Sequence, residues 1–73
     1  MPIYCVNRNV QPVSGHHEVH DVGVGSRLRC MPEPDNQVDL GWHPSCHDAL
    51  LAAKQRFADV NGCAYCAPDC HTT

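Results

Sequence analysis

The sequence predicts a small α+β domain, an antiparallel hairpin or sheet combined with one helix. Short runs rich in β-branched residues occupy the first 40 positions, and one apolar stripe of helical period runs through residues 46–60. Val, Leu, Ile and Phe together make up only 14 of the 73 residues, so a chain of this length needs cross-links to supplement its core. We therefore expect a single domain over residues 1–73, held together through its six cysteines and six histidines.

The first predicted strands lie in the N-terminal third of the chain. Residues 3–6 are β-branched or aromatic apart from Cys5, which favours a strand. Pro12 has no N–H to donate, so any pairing around it is confined to a sheet edge. In the segment that follows, alternation places Glu18 and His20 on the same face as Val22, which directs His20 inward.

A hairpin is expected to follow this strand. Glycines in residues 23–26 predict a loop tip, and residues 27–30 are predicted to return as a strand. Pro32 and Pro34 then make a loop, because two closely spaced prolines suit neither a central strand nor a helix interior. A further short strand is expected at residues 38–40.

The strongest local signal is a helix from Pro44 to about Val60. Ser45 with Asp48 three residues later has the form of a capping box, although His43 is an alternative cap because proline suits the first helical position. Asn61-Gly62 predicts a C-terminal stop that leads directly into Cys63. The apolar stripe that indicates the helix consists of Cys46, Ala49, Leu50, Ala53, Phe57 and Val60.

Two cysteines near the C-terminus, Cys63 and Cys66, have the C-x-x-C spacing that lets two sulfurs reach one metal ion. A structural zinc site uses four nitrogen or sulfur ligands in a tetrahedron, and two of them commonly come from elsewhere in the chain. His20 and Cys30 are the favoured partners, because they lie on the two arms of the predicted hairpin. The sequence thus predicts a zinc site made of one imidazole and three thiolates.

The remaining cysteines and histidines include alternative ligands or reactive thiols. Cys46 lies on the apolar stripe, which favours a small buried hydrophobe over a ligand. Cys70 and His71 stand at the chain end, where fraying disfavours ligation, and His17 is most simply an exposed polar residue. A thiol-based enzyme or metal-handling protein would use Cys46, Cys70 or His71. Since no orienting third group or oxyanion site is evident, the sequence favours a non-enzymatic role.

Charge and composition limit the partners. The net charge is −3 with five Lys and Arg residues, so the basic footprint of a general nucleic-acid binder is absent. No apolar run approaches membrane-spanning length, and the N-terminus lacks the basic and apolar regions of a secretory leader. We therefore expect a cytoplasmic protein with all six thiols reduced that binds another protein. The alternative is an exported protein cross-linked by disulfides, for which six cysteines allow 15 pairings.

Two resemblances extend this interpretation. A strand with Val19-His20, then Cys30, a helix around Ala49 and a final Gly62-Cys63-x-x-Cys66 resembles the Ada-type metal-binding domain. That family holds one zinc between a hairpin cysteine pair and a C-terminal C-x-x-C, and its zinc-bound cysteine accepts a methyl group from a DNA phosphotriester. Because this chain has His20 at one matching position and few basic residues, only the fold and the zinc are carried over. Most of the chain also resembles a group of small bacterial Cys/His-rich proteins, through the motifs His17-Glu18-Val19-His20, Leu40-Gly41, Asn61-Gly62-Cys63-x-x-Cys66 and Cys70-His71.

Overall fold

The structure, a computed structural model, describes residues 2–10 and 15–72 and contains one four-stranded mixed sheet with two helices. The predicted α+β class is confirmed. The expected edge pairing at Pro12 lies outside the described residues. The strands are β1 (Ile3–Asn7), β2 (His17–Asp21), β3 (Gln37–Trp42) and β4 (Val60–Gly62), and the helices are α1 (Val22–Leu28) and α2 (Cys46–Lys54), with 3-10 turns at Pro34–Asn36 and Pro68–Cys70.

The sheet is built around β1, which pairs antiparallel with both β2 and β3 in the order β3-β1-β2-β4. Both strands predicted from β-branched residues, at 3–6 and 38–40, are present and slightly longer than expected. One face of the sheet carries Tyr4, Val6 and Val19, which form the core together with Ala49 and Ala53 of α2. The core is small, so cross-links between elements have a large share in holding them together.

Helix α2 is shorter than the apolar stripe predicted. Ser45 is the N-cap, and the Asp48 N–H donates to its hydroxyl at 3.4 Å, as the capping-box pattern indicated. The helix ends at Lys54, and the Phe57 N–H then closes a turn on the Ala53 carbonyl at 3.0 Å. The prediction of a helix reaching Val60 is therefore wrong, although Phe57 still packs against the core.

The segment after that turn forms a strand instead of a helix stop. Residues 60–62 make β4, which runs parallel to β2 with Val19 opposite Gly62. The C-terminal turn packs so closely on Gly62 that there is no room for a side chain at this position of the strand. A Cβ here would stand 2.7 Å from Cys70 Cβ and 2.8 Å from the Ala67 carbonyl oxygen. The sheet is consequently mixed, whereas the sequence predicted an antiparallel one.

The predicted hairpin between His20 and Cys30 is wrong, because α1 occupies that interval. Asp21 starts the helix by accepting a hydrogen bond from the Val24 N–H at 3.2 Å on its carboxylate. Arg29 ends it with a left-handed backbone, φ 58°. The side-chain cap and the packing of Gly25 outweigh the low helix propensity of glycine, which favoured a loop.

A disulfide joins Cys46 at the start of α2 to Cys70 in the C-terminal 3-10 turn. The expectation of six reduced thiols is therefore wrong for this pair, while Cys5, Cys30, Cys63 and Cys66 are free. Folding brings the two Cα atoms to 6.1 Å across 24 positions of sequence, a proximity that their spacing did not reveal.

The C-terminal residues are also tied down, contrary to the predicted fraying. The buried Asn61 side chain accepts a hydrogen bond from the Thr72 N–H at 2.9 Å.

Neither helix among residues 2–10 and 15–72 is long and apolar enough to cross a membrane.

Candidate metal centre

The candidate metal centre starts from the parallel pairing of β2 and β4. Val19 stands opposite Gly62, so the residues that follow them, His20 and Cys63, lie side by side at the same end of the sheet. The Cys63 N–H donates to the Val19 carbonyl at 2.9 Å, which extends the pairing by one residue. A parallel register therefore places the His20 imidazole next to a thiol of the C-x-x-C pair, through a strand pairing that the sequence did not predict.

Cys66 completes the C-x-x-C pair through a tight turn. The Ala67 N–H donates to the Cys63 carbonyl at 3.0 Å, and this bond folds residues 63–67 back on themselves. As a result Cys66 is buried, and its sulfur lies 3.4 Å from His20 Nδ1. The imidazole thus lies against a thiol from the opposite end of the chain.

Cys30 reaches the same point from the end of α1. Its N–H donates to the Gly25 carbonyl at 3.2 Å, which holds it close to the last turn of the helix. Gly25 permits close packing here, because a Cβ would stand 3.3 Å from Cys66 Sγ and 2.6 Å from Met31 Sδ. The absence of a side chain at Gly25 therefore lets α1 approach the cysteine pair.

The ligand atoms of these four residues all lie within 4.8 Å of one another. In a tetrahedral zinc–thiolate site with Zn–S bonds near 2.3 Å, two sulfurs stand about 3.8 Å apart, so a small contraction would suffice to bind an ion. His20 is 0% exposed, and its Nε2 has no hydrogen-bond partner among the described residues. The cluster, which the sequence predicted as ligands, is composed of His20, Cys30, Cys63 and Cys66.

Burial sets the protonation of this cluster. It lowers the pKa of the His20 imidazole, which favours the neutral form that binds metals. Burial, together with the neighbouring Cys30 and Cys63 thiols, raises the pKa of the Cys66 thiol, and burial also raises that of Cys30. Thiols crowded away from water therefore resist ionising together, and a bound divalent cation would reverse that preference.

Glu18 is a further residue of the site. It lies two positions before His20 in β2, and its Oε1 stands 4.0 Å from His20 Nε2, the ring nitrogen directed away from Cys66. Carboxylates that accept a hydrogen bond from a ligating imidazole orient the ring and increase its basicity, and Glu18 would take this role after a small shift of its side chain. The alternation that placed both residues on one face was visible in the sequence, although this function was not inferred from it.

Replacing Glu18 with glutamine is expected to weaken metal binding by the cluster about tenfold, the lower end of the usual effect of such partners, because the amide lacks the negative charge. Competition with a chromophoric chelator measures the change in affinity. Glu33→Gln is the matched control, since this exposed carboxylate lies outside the cluster. Equal affinities of the two variants would contradict an orienting role for Glu18.

The other candidate residues lie outside this cluster. His17 is half-buried in β2, where its ring stacks on Phe57 with centroids 4.0 Å apart and its Nδ1 lies 2.9 Å from the Asn7 carbonyl oxygen. The Nδ1 of His71 lies 2.9 Å from the Gly62 carbonyl oxygen. These two histidines therefore support the sheet and the C-terminal turn.

A second group of ligand-type side chains surrounds the disulfide. It consists of Cys46, His47 and Cys70, whose ligand atoms also lie within 4.8 Å of one another. The sequence offered Cys46 and Cys70 as separate candidates, and it favoured a role for His47 in capping the helix or supporting a ligand over binding a metal. The adjacency of Cys46 and His47 in the sequence was the signal from which this group could have been predicted.

Comparison of the chain with protein-family models, curated proteins and solved structures gives no match. The resemblances to the Ada-type domain and to small bacterial Cys/His-rich proteins therefore stay predictions. The chemistry of the site follows from its donor atoms and their surroundings.

Proposed function

We propose that this chain is a small zinc-binding protein, in which a structural zinc held by the His20 cluster supports a surface that binds another protein. The observation that carries the metal assignment is the convergence of four nitrogen and sulfur donors within 4.8 Å. They come from the end of β2, the segment after α1 and the turn after β4. One ion would therefore connect three separate parts of the chain.

Zinc is the metal that this donor set favours. Thiolate and imidazole in a four-ligand site are typical of structural zinc, whereas magnesium and calcium select oxygen ligands. Four protein donors leave no position for a substrate, which favours a structural role over a catalytic one. Of the four, Cys30 is half-exposed and the others are buried.

Native mass spectrometry with a metal assay tests the assignment. The folded chain with its Cys46–Cys70 disulfide intact should retain about one zinc, and Cys30→Ser should weaken binding by more than about tenfold, since losing even an outer partner of a ligand costs that much. A wild-type chain that folds without metal would overturn the assignment, as would unchanged affinity in the Cys30 variant.

The protein partner is supported by an exposed apolar pair at the sheet edge. Ile3 of β1 stands opposite Trp42 of the edge strand β3, and each is 50% exposed. Ile3 also lines a cavity of about 520 Å³ together with Val22 and Val24. Exposed aromatic residues next to apolar concave surface are typical of protein interfaces, whereas a chain of net charge −3 has little attraction for nucleic acid.

A photo-crosslinking amino acid in place of Trp42 tests this surface in cells. We expect one discrete crosslinked polypeptide, lost when Ile3→Asp places a charge in the pair. The same probe in place of Tyr65, which is 74% exposed in the turn after β4, is the control position and should give no such product. Crosslinking only to nucleic acid, or equally from both positions, would contradict the proposal.

Fractionation of the same cells tests the predicted cytoplasmic location.

A further inference from the structure

We propose that the Cys46–Cys70 disulfide is the oxidised form of a second, exchangeable zinc site, which opens when a dithiol reduces the bond and in which His47 is the third ligand. This proposal goes beyond the structural zinc, because it uses none of the four residues of the His20 cluster. The number of zinc ions that the chain binds then depends on whether this cysteine pair is oxidised or reduced.

Three donors from two segments converge at this place. Cys46 is the first residue of α2, His47 follows it, and Cys70 is brought alongside by the C-terminal turn, with all three ligand atoms within 4.8 Å. The packing of Cys70 on Gly62 and the hydrogen bond between Thr72 and Asn61 hold that turn in place. Because these restraints do not depend on the sulfur–sulfur bond, reduction should leave the two sulfurs close together.

The site borders solvent on the side of His47, which is exposed, whereas Cys46 and Cys70 are buried at 8% and 4% exposure. Cys46 and His47 line a cavity of about 260 Å³. The exposed imidazole distinguishes the group from the His20 cluster, whose histidine is fully buried and whose half-exposed ligand is Cys30. The cavity beside Cys46 is the approach for both a reductant and a metal ion.

Reduction is an ordinary thiol–disulfide exchange. A thiolate of the dithiol attacks Cys46 Sγ, since Cys46 lines the cavity, and Cys70 leaves as a thiolate that takes up a proton. The second thiol of the reductant then attacks the mixed disulfide and releases Cys46 as a thiolate. The dithiol loses two electrons and becomes a disulfide, and both cysteines are left reduced.

Zinc then binds both sulfurs and the His47 imidazole and displaces the remaining thiol protons. With three protein ligands the ion keeps a fourth position open toward the cavity, as in zinc sites that exchange ligands. Such an ion is expected to leave and enter far more readily than one enclosed by four ligands. Exchange with a disulfide oxidant, which accepts two electrons and leaves as two thiols, would re-form the Cys46–Cys70 bond and expel the ion.

The experiment counts zinc in the full chain under titration, by native mass spectrometry, before and after treatment with a thiol-free phosphine. We expect one zinc per oxidised chain and two per reduced chain. His47→Ala should keep the first and weaken the second by more than about tenfold, as expected for loss of a direct ligand. Leu51→Ala, which changes an exposed residue of the same helix, and Cys5→Ala, which removes a buried free cysteine outside both groups, should retain both ions.

One zinc in both redox states of the wild-type chain would overturn this proposal and leave the structural zinc intact. Equal affinity for the second ion in wild type and His47→Ala would also overturn it. An oxidised chain without zinc, whose reduced form gains one ion dependent on His47, would support the second site and refute the structural one. If Cys46→Ser or Cys70→Ser fails to fold, His47→Ala still tests the proposal. His47 is exposed, so its replacement should leave the fold intact.

Discussion

Replacing Cys63 with alanine is expected to abolish binding of the proposed structural zinc and to unfold the chain. Zinc binding in small zinc domains is worth about 10–16 kcal/mol, and a domain of 73 residues has a total stability of only about 4–11 kcal/mol. Here the fully buried large apolar side chains are those of Val6 and Val19. The free energy lost with the ion therefore exceeds what the core can offset. Circular dichroism, together with a zinc assay on the purified variant, measures both effects.

Cys5→Ala is the matched control for this experiment. Cys5 is as buried as Cys63 and stands opposite His20 in the β1–β2 pairing, yet it lies outside the cluster. Burial, with an added contribution from Asp39, raises the pKa of its thiol to about 11, so it remains protonated at neutral pH. We expect this variant to lose about 1 kcal/mol of unfolding free energy and to keep its zinc. A folded, zinc-loaded Cys63→Ala would contradict the ligand assignment.

Gly62→Ala is expected to lower the unfolding free energy by about 3 kcal/mol, at the upper end of the usual cost of overpacking. The new methyl group would stand 2.7 Å from Cys70 Cβ and 2.8 Å from both the Ala67 carbonyl oxygen and the Cys70 carbonyl carbon. Two of these atoms belong to the backbone and cannot rotate away. The strand or the C-terminal turn must therefore move, and β4 pairs directly beside His20. Urea denaturation of the zinc-loaded protein measures the change.

Gly23→Ala controls for the general effect of removing a glycine. It lies in α1, is exposed, and a Cβ there would come no closer than 3.6 Å to the Asp21 carboxylate. Alanine is better than glycine within a helix by about 0.5–1 kcal/mol, so this variant should be slightly more stable than the wild type. A Gly62 variant as stable as the Gly23 variant would show that the turn has room to shift.

Local sequence patterns identified the residues that could form the site. C-x-x-C spacing identified Cys63 and Cys66, and strand alternation identified His20 as inward-facing, because both patterns depend only on neighbouring residues. The same local rules predicted the first and third strands, the Ser45 cap and the buried face of α2. They succeed where propensity and tertiary packing agree.

How those residues meet depends on the whole fold. A parallel register between β2 and β4 brings His20 to Cys63, and Cys30 reaches them from the end of α1, where the sequence predicted a hairpin. Parallel pairing of this kind leaves no trace in the local sequence. Helix α1 forms despite its glycines because Gly25 must pack against Cys66. The disulfide depends on a 24-residue separation closed by the whole fold. Bringing distant residues together costs loop-closure entropy, which packing of the entire chain offsets. Such contacts therefore cannot be predicted from neighbouring residues alone.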